Sequence, residues 1–201
     1  MARRAIQAVF GIVALALVAT PDSAQRKREG FEFLEAVKER EGDKVTELLN
    51  QPGNVLINTR DLTSGETALH IVTQRRDPVW MRFLLGKGAN PNAETRDGTT
   101  PIEIASQLGF AEGIEILLEK GATVDTANGS GETPLISAVH RRDTALVRLL
   151  ISKGANPDRA DNSGRTARDY ATLMGARSPV LEEIVRALAE RSAPAKGYGP
   201  N

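Results

Sequence analysis

The sequence predicts an all-α solenoid of about five helix-turn-helix repeats with β-hairpin fingers between them. Gly65, Gly98, Gly131 and Gly164 follow one another at steps of 33 residues. Thr67, Thr100, Thr133 and Thr166 keep the same step, and so do Gly88, Gly121 and Gly154, each followed by alanine. Leucine pairs precede those Gly-Ala phrases at Leu84 and Leu85, Leu117 and Leu118, and Leu149 and Leu150. A single helical pair cannot bury its apolar face, but a stack of about three or more can.

The elements read in chain order. "MARRAIQAVFGIVALALVATPDSAQ" has a basic start, an apolar run over residues 5–19 and a small-residue exit. That is the grammar of a secretory signal peptide, expected over residues 1–24. Cleavage after Ala24 leaves Gln25 as the new N-terminus; cleavage after Ala19 competes, as does an uncleaved anchor. The run is short for a spanning helix, which needs about 20 apolar residues. The repeat domain is expected over residues 25–192. Its first repeat, 30–61, has two amphipathic helices, with Phe31, Phe33, Leu34 and Val37 on one face and Val45, Leu48 and Leu49 on the other helix's face. This is an N-terminal cap.

Three full repeats follow at 62–94, 95–127 and 128–160. Each first helix opens on a threonine whose hydroxyl can cap it. Pro101 and Pro134 take the first helical position, where a missing N–H costs nothing. Thr100 with Glu103, and Thr166 with Asp169, have capping-box spacing. Asp77-Pro78 and Ser178-Pro179 apply the same logic to second helices, which Gly88, Gly121 and Gly154 then end. The segment 161–192 begins like a repeat but lacks a following finger and is the C-terminal cap. The tail 193–201, "APAKGYGPN", has no periodicity and is expected to be disordered.

This pattern resembles the ankyrin repeat: a glycine, then T-P-L-H-x-A, a second helix ending in Leu-Leu, and G-A-x-x-N. The resemblance spans about residues 30–190. It implies a protein-binding module gripping its partner on a concave face of finger tips and first helices. Carried over by position, the tips are 61–64, 94–97, 127–130 and 160–163, with Arg96 and Asn162 among them. The first-helix contacts are Glu66, Gln74 and Arg75, then Thr99, Gln107 and Leu108, then Glu132, His140 and Arg141. His70, in the T-P-L-H slot, is implied to tie hairpin to helix.

Composition narrows the function further. Lys and Arg number 26, as do Asp and Glu, so there is no electrostatic footprint for nucleic acid. There is no cysteine and there are two histidines, His70 and His140, with no metal-ligand spacing. No phosphate-binding loop or nucleophile motif occurs. Glu182 and Glu183 read as ordinary helix surface, and Trp80 with Phe83 as packing. The expectation is no enzyme, no cofactor and no metal. The partner is another protein, with no nucleic acid and no membrane once the leader is removed, and the chain is a monomer. It is expected to act in a periplasm or, as the alternative, as a secreted effector or inhibitor.

One phrase has two readings. "RRD" occurs at 75–77 and again at 141–143, between first and second helices. Cations at a helix C-terminus complement its dipole and the aspartate caps the next helix. Alternatively the arginines grip an acidic partner, in which case Arg75 and Arg141 are not buried.

Overall fold

A computed structural model describes residues 21–51 and 55–192. Of the signal peptide expected over residues 1–24, residues 1–20 lie outside the described residues, as does the tail 193–201, while 21–24 begin the first helix. The described part contains ten α-helices. They are α1 (Pro21–Glu39), α2 (Gly42–Leu49), α3 (Ala68–Gln74), α4 (Pro78–Gly86), α5 (Pro101–Gln107), α6 (Ala111–Glu119), α7 (Pro134–His140), α8 (Thr144–Ser152), α9 (Ala167–Leu173) and α10 (Pro179–Ser192). A 3-10 turn at Leu56–Asn58 follows α2. Successive odd-numbered helices pack on one another in one row, while α4 packs on α6 and α8 on α10 in the row behind it. None of these helices is long and apolar enough to cross a membrane.

The threonines cap the first helices as the spacing predicts. Thr67, Thr100, Thr133 and Thr166 are extended N-cap residues. In three repeats the side chain three residues on returns a bond to the threonine N–H: His70 Nδ1 at 3.1 Å, Glu103 Oε2 at 2.7 Å and Asp169 Oδ2 at 2.9 Å. Repeat four carries Ile136 there, and only the Thr133 hydroxyl accepts, from Ile136 N–H.

Each first helix ends in the same way. A left-handed residue follows it, and in repeats one to four the next N–H reaches back into the helix, as from Asp77 to Val72 O and from Phe110 to Ala105 O. The left-handed residues are Arg40, Arg76, Gly109, Arg142 and Gly175. Only Gly109 and Gly175 adopt that conformation without cost; an L-residue gives up about 1–2 kcal/mol there. The second arginine of each RRD therefore occupies a glycine-preferring position.

The core lies between the two rows. Phe33, Leu69, Ile102 and Leu135 from first helices meet Met81, Leu84, Ile114, Leu117, Leu146 and Leu150 from second helices, all essentially inaccessible. Burying each contributes about 1.5–3 kcal/mol. In the column of Leu69, Ile102 and Leu135, repeat five writes Arg168, which forms a two-point ion pair with Asp158 at 2.8 and 3.2 Å. This gives the last repeat a polar outer side.

Repeats are also stitched at the finger bases. The Asn58 amide oxygen accepts Asn90 N–H at 2.7 Å, Asn92 accepts Thr123 N–H at 2.8 Å, and Asp125 accepts Asn156 N–H at 3.0 Å. Asp158 is next in that column and accepts from Arg168 instead.

Several expectations need correction. The fingers are not strand hairpins. Each is a turn closed by one bond, such as Asp61 N–H to Glu66 O or Thr95 N–H to Thr99 O, and only Ala160 and Thr166 form a β-bridge among the described residues. The segments are too short for a ladder. Phe31 is not on the buried face with Phe33, Leu34 and Val37; it is 63% exposed. Glu183 is not surface: it is buried, held by Arg148 at 2.6 and 3.0 Å and by Arg186, and it pins α10 to α8. Its neighbour Glu182 is exposed, as expected.

Candidate protein-binding face

The first helices and finger tips form one ridged face. Its outermost first-helix column is Gln74, Gln107, His140 and Leu173, all exposed. Glu66, half-buried, accepts from Gln74 Nε2 at 2.5 Å and from Ser64 Oγ at 3.2 Å. Thr99 belongs to the framework: its carbonyl accepts from Thr95 N–H at 2.9 Å and stands 3.1 Å from His70 Nε2. Since His70 Nδ1 accepts from Thr67 N–H, the proton sits on Nε2, which donates to Thr99. The side chain thus ties helix to hairpin, as the resemblance implies for this slot.

In repeats four and five a polar chain crosses the face. Glu132 Oε1 accepts from Ser137 Oγ at 2.7 Å and lies 3.3 Å from His140 Nδ1. The His140 ring meets Tyr170 edge-on, centroids 4.6 Å apart, and Tyr170 Oη donates to Asp161 at 2.6 Å. That phenol and the Ser163 hydroxyl hold the Asp161 carboxyl well below the usual range. Tyr170 and Leu173 were absent from the expected contacts. Stepping 33 residues on from Ser137 and His140 would have found them.

The finger tips bond to one another. Arg96 N–H donates to Ser64 O at 2.9 Å and its guanidinium to Leu62 O. Asn162 donates from its N–H to Ser130 O at 3.1 Å and from Nδ2 to Gly129 O at 3.0 Å. Both side chains remain exposed while holding neighbouring tips in place.

The RRD arginines have structural partners. Arg75 does not project from the face; its side chain is 19% exposed and donates from Nη1 to Val37 O at 2.6 Å and Lys38 O at 3.1 Å, the last turn of α1. The expectation that neither first arginine is buried therefore fails at Arg75. Arg76 reaches the other way, to Leu108 O at the end of α5. Arg141, which is exposed, donates to Gln107 O at 3.0 Å, also at the end of α5. Leu108 is half-buried as the C-cap of that helix. The helix without its own RRD thus has its terminal carbonyls met by both neighbours. Arg142 lies against the α9–α10 turn beside Met174, Gly175 and Arg177.

Glu103 stands where repeat two has His70. It is 2% exposed, and its Oε1 has no hydrogen-bond partner, unlike His70 Nε2. Burial pushes its carboxyl pKa up and pushes that of His70 down. The signs differ. Glu103 binds its proton more tightly when folded, so its contribution weakens as pH rises above the ordinary glutamate value. His70 resists protonation when folded, so stability weakens as pH falls below the ordinary histidine value. Glu103→Gln is expected to stabilise by about 1 kcal/mol at neutral pH, since an amide can donate where a carboxylate cannot. Thermal melts of both proteins across pH should show the gain shrinking toward acid.

This architecture is that of a stacked helical-repeat protein. Among the described residues no cluster of three or more histidines and carboxylates is placed to hold a metal. A family model described as ankyrin repeats in three copies matches residues 33–128 and 123–196. An ankyrin-repeat protein of Fowlpox virus (strain NVSL) is 41% identical over 58 residues, 29% of this chain and 17% of the viral protein. The aligned stretch is thus a small part of that relative. The chain belongs to the ankyrin-repeat family. Members are generally protein-interaction modules without catalytic activity.

Proposed function

We propose that the chain is an exported binding module that holds another protein against the face built by its first helices and fingers. The observation that carries this is the column Gln74, Gln107, His140 and Leu173. Its members are exposed and change along the array from two glutamines to histidine to leucine, whereas the buried column two positions earlier, Val72, Ala105, Ala138 and Ala171, is uniformly aliphatic. Packing does not dictate such a column, so it is free to be set by a partner. The basic start and apolar run of residues 1–19 support export, to a periplasm or beyond the cell as an effector or inhibitor. The chain acts there as a monomer, clear of the membrane once its leader is removed.

A photo-crosslinker placed at Gln107 or at Glu115 tests the face. Glu115 is exposed on the second-helix row. A partner captured from Gln107 but not from Glu115 supports the reading; equal capture from both sinks it. Mass spectrometry of the native protein checks export, with Gln25 expected at its N-terminus.

A further inference from the structure

The first helix of repeat one outruns the others. α3, α5, α7 and α9 each span seven residues after a capping threonine, whereas α1 spans 19, of which 15 lie from Gln25 onward, and continues upstream through Gly30 and Phe31. No finger precedes repeat one among the described residues. The upstream half of α1 takes that place, against the finger at 59–63. Gly30 permits the approach, since a β-carbon there would stand 2.8 Å from Thr59 Cγ2.

Between them lies a groove of about 410 Å³, walled by Lys27, Phe31 and Leu34 on α1 and by Thr59, Arg60 and Leu62 on the finger. Phe31 is 63% and Leu62 72% exposed, two of the large apolar side chains most open to water. The charge around them is mainly basic. Arg26 also lines the groove, and Lys27 forms no ion pair with the described residues. Arg60 donates to the neutral carbonyl of Glu94 and so keeps its charge. The carboxylate at the groove, Asp61, has one oxygen committed to Thr63 and Ser64 N–H at 2.8 and 2.9 Å. An apolar slot rimmed by cations is complementary to an apolar side chain flanked by carboxylates.

We propose that this groove docks an extended acidic segment of the partner protein. One bulky apolar side chain sits between Phe31 and Leu62, and flanking carboxylates face Lys27 and Arg60. The inference rests on the protein-binding reading above and assigns the N-terminal end of the surface its own ligand chemistry.

The probe is a fluorescein-labelled short peptide of Asp and Glu around a single Phe, titrated into the full chain by anisotropy. Two control peptides replace Phe with Ser, or the acids with Gln. The acidic Phe peptide alone should bind, and more weakly as salt rises. Phe31→Ser and Leu62→Ser should each weaken it by about tenfold, as loss of a buried apolar contact does. Lys27→Glu should weaken it too, while Glu115→Gln, on the exposed second-helix row, should not. Phe31 and Leu62 are exposed, so these variants should melt like the parent. Equal binding of the Ser control, or affinity indifferent to Phe31→Ser and Leu62→Ser, overturns the proposal. So does a groove that serves phosphatidylserine vesicles, or self-association seen by sedimentation, in place of the peptide. Peptide binding without capture from Gln107 would leave the groove standing and the wider face refuted; the converse result would do the opposite.

Discussion

Deleting residues 164–192 is expected to abolish the cooperative melt of the array, not merely to lower its midpoint. The deletion removes α9 and α10, which cover α7 and α8. Val180, Ile184 and Ala187 leave the core, and Leu146, Val147, Leu150 and Ile151 lose cover. At about 1.5–3 kcal/mol for each buried aliphatic side chain, the loss approaches the whole stability of an ordinary domain, about 5–15 kcal/mol. Polar ties go too. Glu183 no longer meets Arg148, and Arg191 no longer donates to Ile151 O and Ala155 O. Circular dichroism melts of both chains give the answer, and an unchanged midpoint would count against residues 164–192 as a cap.

The second large effect separates the two arginines that the sequence makes look equivalent. Arg75→Glu is expected to cost about 3 kcal/mol, because it places an acid in a largely enclosed site facing the Val37 and Lys38 carbonyls. Arg141→Glu is expected to cost about 1 kcal/mol, since the exposed Arg141 holds one carbonyl, Gln107 O, from solvent. Chemical denaturation of the two variants tests this. Equal, small losses would mean that the Arg75 bonds contribute nothing. Arg75 has a framework role whatever its role in binding, so a weakened partner interaction in Arg75→Glu must be read beside its melt.

The repeat period was legible because its markers solve local problems. A threonine that caps recurs at the same point of repeats two to five, and the proline at the first helical turn and the glycine that ends a helix recur wherever the same local problem arises. Glu103 and Asp169 could be placed as capping partners from spacing alone. What escaped was whatever depends on the neighbouring repeat. Phe31 looks like a core residue by its distance from Phe33, Leu34 and Val37, but among the described residues no preceding finger covers it. Glu183 looks like surface beside Glu182 until Arg148, 35 residues earlier, is brought against it. The arginines of RRD were read as charges at their own helix ends. Arg75 and Arg141 reach the preceding repeat and Arg76 the following one, a direction no local pattern encodes. On the candidate face, Gln74, Gln107 and His140 were found by register alone, while the link from His140 to Tyr170 needed two repeats in contact.

The ends of α5 show what this means for the evolution and redesign of such a chain. Gln107 and Leu108 present their carbonyls to arginines that repeat three does not own. The units are therefore not interchangeable bricks. A tandem duplication of repeat three would set two such helix ends side by side, each waiting for a donor the other lacks. A duplication of repeats two and three together would carry its donors with it and preserve the alternation. Insertion by pairs is the growth step this array can absorb, and a consensus built by averaging its repeats would erase the asymmetry that holds them in order.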